Sequence, residues 1–452
     1  MPNLETVAIV GAGFSGALLA VNVLREAGPS TVLIDHREVF GRGIAYSAPN
    51  PSHLLNVRAG NMSAFVDQPR HFSDWCIAHG HGDGTSFVER RRYGAYIGGL
   101  LAQSVASADG RLALVRDEAL HAEVTADGVA ITLASGECVV ADALVLAMGN
   151  LPPQSPPALR DAGLPVDLHV ADPWGGSFTH GLGAGDTVML LGSGLTMVDV
   201  ALSLESAGFG GRIIAMSRRG LLPHRHEAGV PPGDRKARPS LPASRLLHDI
   251  RRRADTIGWR SAIDELRPFT RALWRGADPA ERARFLRHLR PWWDIHRHRL
   301  APPVADRIAA MQARGQLRVV AGKPSAFADT GRGGVAVSWR PRGAAADTSL
   351  DIRRVINCTG PLGQLGDATD PLLQGLLADG LARADPTGLG LDVDSESRLI
   401  GADGLANTRL FALGPLTRGA FWEIVAVPDI RQQVWQVART LAQTHWVGGE
   451  GL

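Results

Sequence analysis

Cysteine is scarce: only Cys76, Cys138 and Cys358 occur in 452 residues, far apart and with no C-x-x-C pair. This spacing argues against a disulfide framework, an iron–sulfur site and a thioredoxin-type dithiol. Cys138 and Cys358 fall in strand-like segments and read as small buried apolar residues. Net charge is also small, +2 from 47 Lys and Arg against 45 Asp and Glu, so no overall field favours nucleic acid. The basic run 251–253, next to Asp249 and Asp255, reads as a solvated helix face. No apolar run has transmembrane length and purity, and no basic segment followed by an apolar leader opens the chain, so no membrane is expected and the cytoplasm is the expected compartment. His224 with His226 and His296 with His298 match neither zinc spacing nor H-E-x-x-H. They are expected at the surface or in pocket walls, with no metal.

Glycine and proline, by contrast, are plentiful, with 53 and 28 residues. This suits a multi-loop α/β protein whose backbone approaches ligands closely. The length allows two or three domains with apolar cores of their own. The opening reads as β-α-β: a strand at 7–10, a glycine turn at 11–16, a helix over about 15–27, and a strand at 31–34 ending at Asp35. A broken polar loop follows over 41–63, then two helices, one with Trp75 and one over 93–106. Short strands broken by Gly128 and Gly136 suggest an antiparallel meander over 113–140. It leads into an apolar strand at 143–147 that stops at Gly149, and prolines at 152, 153, 156 and 157 mark a boundary. A second α/β beginning has a strand at 187–191, a helix over about 196–207 and a strand at 212–216. The Arg-rich stretch at about 231–310 reads as a helical insertion that shapes an entrance. Strands return at 317–320, 335–339, 354–357 and 410–413, and a long helix closes the chain.

Gly11, Gly13 and Gly16 form G-x-G-x-x-G. The first glycine makes the tight turn, the second admits a pyrophosphate near the backbone, and the third lets helix pack on strand. Phosphates then meet free amides at the helix start, where Phe14 and Ser15 stand. Asp35, followed by His36, ends the second strand and presents a carboxylate for the adenosine ribose. The segment from Gly192 through Gly194 and Thr196 to Asp199 repeats the arrangement with Met197 at the third glycine position. The strand after it ends in Arg218 and Arg219 where an acid would otherwise stand. Guanidinium groups there suit a 2′-phosphate, which selects NADPH over NADH. Two dinucleotide sites in one chain suggest one reaction, hydride from NADPH to a flavin.

The chain resembles the FAD/NAD(P)-binding oxidoreductases related to the flavin-dependent class B monooxygenases. The residues carrying the resemblance are the Gly11 loop, the stretches 41–46 and 53–57, the loop 192–199, and the segment 414–423. The resemblance implies an α/β fold of two Rossmann-like dinucleotide-binding domains, the NADPH domain inserted in the FAD domain. The expected boundaries are 1–165 for the first part of the FAD domain, 166–350 for the NADPH domain with its helical insertion, and 351–452 for the return to the FAD domain. Along the flavin it places Arg42, Tyr46, Asn56, Val57 and Met62, with Gly149, Gly360 and Gly414 at strand ends and a helix start near Phe421 beside the last of these. Arg418 is the expected contact for substrate or nicotinamide, with Trp422 beside it in the pocket. The implied activity is an NADPH- and O2-dependent monooxygenase acting on a small organic substrate through a flavin C4a (hydro)peroxide. Two alternatives stay open: an oxidase or dehydrogenase with a degenerate second site, for which Met197 speaks, and a non-catalytic flavin-containing sensor or assembly subunit. The substrate and the oligomeric state are not specified by the residues.

Overall fold

The computed structural model describes residues 4–227, 235–239, 242–361 and 363–443. The parts of the expected insertion at 231–234 and 240–241 lie outside the described residues. Its first sheet has β1 (Thr6–Val10) at the centre, flanked in parallel by β2 (Ser30–Ile34) and β7 (Ala143–Leu146). Val7 to Val10 are all buried, as a strand covered on both faces requires. Strand β3 (Leu112–Val115) extends the sheet beyond β2. On the other side β16 (Ala406–Ala412) pairs in parallel with β7, and β15 (Arg398–Ile400) is the antiparallel edge. A separate antiparallel sheet holds β4 (Ala119–Val124), β5 (Val129–Leu133) and β6 (Cys138–Ala141). The meander expected from residue 113 therefore loses its first strand to the parallel sheet. Cys138 is exposed on β6, contrary to the buried reading, whereas Cys358 is buried.

The second sheet runs β13-β12-β11-β10-β9-β14-β8. Its strands are β8 (His169–Val170), β9 (Thr187–Leu191), β10 (Arg212–Ser217), β11 (Leu317–Asp329), β12 (Val335–Pro341), β13 (Thr348–Ile352) and β14 (Arg354–Asn357). Again the first glycine-bearing strand, β9, is central, with parallel neighbours β10 and β14. Strand β14 lies beyond the boundary expected at 350, yet it belongs to this sheet. The chain rejoins the first sheet only with β15 and β16. In each sheet the strand order reverses beside the central strand, between β1 and β7 and between β9 and β14, which opens a crevice at the carboxyl ends.

Helices from Ala243–Ile257 to Arg290–Arg297 form the Arg-rich insertion. Its apolar centre gathers Ile263, Leu266, Trp274 and Trp293 around Leu389 and Trp422 from the C-terminal part. Two indoles fasten it there: Trp274 Nε1 donates to the Gly419 carbonyl at 2.7 Å, and Trp293 Nε1 to Glu423 at 2.8 Å. The basic run is less solvated than expected, because Arg253 holds the buried Glu265 with Nε and Nη2 at 3.1 and 2.8 Å. The closing helix begins at Val427 and not near Phe421, and packs on the helix Phe14–Arg25. No helix among the described residues is long and apolar enough to cross a membrane.

Candidate functional site

Two glycine loops stand at the two crevices. Gly11 has φ +101°, and an added Cβ would lie 2.6 Å from the Ala147 carbonyl oxygen at the end of β7. A side chain is excluded by conformation and by space together. Gly192 repeats this with φ +124° and the carbonyl of Cys358, just after β14. A Cβ on Gly16 would strike the Gly11 carbonyl, so this glycine serves helix–strand packing. Gly13 and Gly194 differ in kind: they precede the helices Phe14–Arg25 and Leu195–Ser206, neither helix has a side-chain cap, and a Cβ on Gly194 would meet nothing within 4 Å. Uncapped amides make each an anion-ready helix start, with open space at Gly194 and with Gly43 Cα 3.5 Å from the place of a Cβ on Gly13.

The first loop opens on a cavity of about 290 Å³ whose walls include Gly13, Phe14, Ser15, Arg42, Tyr46 and Gly149. Tyr46 packs edge-on against Tyr93 at 4.7 Å, and burial raises its phenol well above the usual range. Gly414 lies against the first loop, where a Cβ would come within 2.7 Å of Ser15 Oγ. Asp35 ends β2 with its carboxylate engaged: Oδ2 accepts from Ala12 N at 2.6 Å, and Arg37 grips both oxygens at 2.9 and 2.6 Å. Burial alone would raise its pKa, but the Arg37 hydrogen bonds and charge outweigh that and hold it below the ordinary value. His36 points outward with its ring 3.8 Å from that carboxylate. Asn56, Val57 and Met62 do not line the cavity. Met62 is buried in the first core, Val57 packs against that core, and the Asn56 carbonyl meets His226 Nε2 at 2.9 Å.

A second cavity, about 470 Å³, collects Gly192, Gly194, Thr196, Arg218, Arg219, Gly360, Arg418 and Trp422. The Ser217 hydroxyl accepts from Gly220 N at 3.0 Å and from Ser193 Oγ at 2.8 Å, which ties the Arg218–Arg219 turn to the glycine loop. Met197 is fully buried in the second core and lines neither cavity, so its bulk leaves the loop open. Trp422 stacks on Trp274 at 4.8 Å and so serves both core and cavity wall. Leu195, Thr196, Gly360 and Val425 line both cavities, which therefore adjoin at the Gly360 end.

Of the remaining wall residues, Arg290, Asp294 and Arg90 carry no local sequence signal, whereas His298 is one of the histidines expected at the surface or in a pocket wall and Asp199 closes the second glycine motif. Arg290, Asp294 and His298 of the insertion line the second cavity. Burial lowers the His298 pKa and raises that of Asp294. Arg90 and Asp199 line the first cavity from separate units. Arg37 did have a signal, a basic residue two positions after the acid at the strand end.

Residues 8–151 match a family model described as FAD-NAD(P)-binding. No curated protein matches the chain. Among solved structures, ornithine hydroxylase from Pseudomonas aeruginosa is similar at 15% identity and TM-score 0.65, covering 97% of this chain and 99% of its own. L-lysine 6-monooxygenase from Pseudomonas syringae is similar at 17% identity and TM-score 0.67, with the same coverage. The cadaverine monooxygenase of Erwinia amylovora, a structure bound to FAD, is similar at 12% identity and TM-score 0.68, covering 97% and 94%. The chain thus shares the fold of these three structures along nearly its whole length, and its N-terminal segment matches the FAD-NAD(P)-binding family model.

Proposed function

We propose that the chain is an FAD- and NADPH-dependent monooxygenase that hydroxylates a small organic substrate. The observation that carries this reading is the pair of anion-ready glycine loops at two crevices whose cavities adjoin at Leu195, Thr196, Gly360 and Val425. The Gly11–Gly16 loop would hold the FAD pyrophosphate and the Gly192–Gly194 loop that of NADPH, with Arg218 and Arg219 at the 2′-phosphate. The hydroxylase and monooxygenase names of the three structural neighbours support the same reading.

FAD held by the first loop and the walls of its cavity would supply a two-electron path from NADPH to O2, with one oxygen atom going to substrate and the other to water. The residues of this chain position and shield. Trp422, Leu286 and Ile295 give the second cavity an apolar wall. Arg42, Tyr46 and Arg90 line the first cavity. The inward-facing His298 is kept towards its neutral form by burial, so it can accept or relay a proton at a ring nitrogen. Stopped-flow absorbance of the FAD-loaded protein tests the proposal. Rapid bleaching by NADPH, then a transient spectrum distinct from both reduced and oxidised flavin on adding oxygen, is the expected result. Bleaching by an organic substrate but not by NADPH would instead favour the oxidase or dehydrogenase reading.

A further inference from the structure

Arg418 follows the short helical turn Gly414–Thr417 after β16. Its side chain is largely withdrawn from water and lines the second cavity, and its Nε is buried without a hydrogen-bond partner. Among the described residues no ion pair reaches its guanidinium. A desolvated cation in that state is costly unless something supplies the opposite charge. Burial, and then the repulsion of Arg290, push its pKa down to about 10.

The neighbouring acids are committed elsewhere. Glu423 accepts from Trp293 at 2.8 Å and pairs with Arg297 at 3.1 Å. Asp294 pairs with Arg290 at 3.5 Å on its own helix. Asp385 accepts from the amides of Thr387 and Gly390, both at 2.7 Å, and from the Thr387 hydroxyl. Arg290 lines the same cavity, with its guanidinium 5.9 Å from the Trp422 ring centre. Four guanidinium groups, of Arg218, Arg219, Arg290 and Arg418, share the cavity with the carboxylates of Asp294 and Glu423, and since Arg418 has no ion pair among the described residues, the excess of positive charge suits an entering anion.

Pro415, three residues earlier, lines the first cavity, while Arg418 lines the second. The phosphates expected in the second cavity have their own donors at its glycine loop and at Arg218 and Arg219. A planar fork of N–H donors matches a carboxylate in bidentate fashion. Beside it, Trp422, Leu286 and Ile295 offer an apolar wall to the rest of the molecule.

We propose that Arg418, with Arg290, forms the carboxylate-binding end of the substrate site, so that the substrate is a small organic carboxylate; this rests on the monooxygenase reading above. Calorimetric titration of the FAD-loaded protein with acid and amide pairs, benzoate against benzamide and hexanoate against hexanamide, tests it. The acids bind at least about tenfold more tightly than the amides. Arg418→Gln removes that preference, whereas Arg418→Lys, a point charge without the fork, retains part of it. Binding of NADP+ to the same variants weakens by a smaller factor than binding of the acids. Amides binding as tightly as acids, no acid binding up to about 10 mM, or NADP+ weakened as much as the acids would each overturn the assignment. Should Arg418→Gln lose its folded circular dichroism, Arg290→Gln and Arg418→Lys carry the comparison, and an unchanged acid preference in both overturns it. Failure of the monooxygenase reading shows separately, as FAD that NADPH does not bleach while calorimetry still detects the acids.

Discussion

Arg90 and Asp199 form an ion pair, Nη1 to Oδ2 at 2.7 Å, across 109 residues of sequence. Arg90 begins the helix Arg90–Ser107 of the first unit, and Asp199 lies on the helix that follows the second glycine loop. His53 reinforces the join, its Nε2 lying 3.0 Å from both the Asp199 carbonyl and Ser203 Oγ. Both partners also line the first cavity, so this contact joins the two units at its wall. In Asp199→Asn the buried Arg90 loses its counter-charge. Expected are a loss of about 1–3 kcal/mol of stability in urea melts and a fall of roughly tenfold or more in flavin reduction by NADPH. An unchanged reduction rate would make the contact purely structural.

The first and second loops each separate a glycine needed by the fold from one needed by a ligand. Gly11→Ala places a Cβ 2.6 Å from the Ala147 oxygen at a positive φ, and is expected to cost about 2–4 kcal/mol with loss of bound flavin. Gly194→Ala meets open space, so its melting temperature stays within about 2 °C of wild type, while NADPH affinity falls because the added methyl occupies the approach of the pyrophosphate. A thermal melt beside a nucleotide titration reads both.

Arg218 and Arg219 stand on a turn that Ser193 and Ser217 fasten to the glycine loop. Replacing both by alanine is expected to lower the preference for NADPH over NADH by roughly tenfold or more. The ratio of kcat/KM for the two coenzymes is the measurement, and an unaltered ratio would place the 2′-phosphate elsewhere.

His296 stacks on His224 at 4.7 Å and meets the Trp259 ring edge-on at 4.4 Å. Burial, then the charges of His224, Arg299 and Arg260, lower its pKa to about 4. A depressed histidine is neutral in the fold while the unfolded chain takes up the proton first. Its contribution is complete above the ordinary value of about 6.5 and declines as pH falls from there towards about 4. His296→Phe keeps a ring in the stack without a titrating group. Urea melts between about pH 7 and 4.5 are expected to show a shallower acid loss in this variant.

The β-α-β openings could be read along the chain because a strand, a glycine turn and a helix are neighbours in sequence. Central strands buried on both faces must also be continuously apolar, as Val7–Val10 are. The sheet membership of β3 and β14 could not be read in this way. A four-residue apolar strand has the same pattern in either sheet, and its partner is settled by packing, not by its own residues. Cys138 went astray for a related reason: strand character indicates that one face is buried, without indicating which.

Residues met singly divide in the same way. Gly11 and Gly192 are legible singly because their roles follow from backbone conformation, a positive φ with no room for a Cβ. Met62, Val57 and Asn56 fell within a suggestive loop, yet they pack into the core or against His226. By itself the sequence determined two glycine loops, their strands and helices, and an arginine-tipped second strand, all of them local consequences of chain geometry. Only the tertiary structure decided that the cavities adjoin at Gly360, that the insertion docks through Trp274 and Trp293, and that Arg418 lines its cavity with no ion pair among the described residues, because burial and pairing depend on residues more than a hundred positions apart.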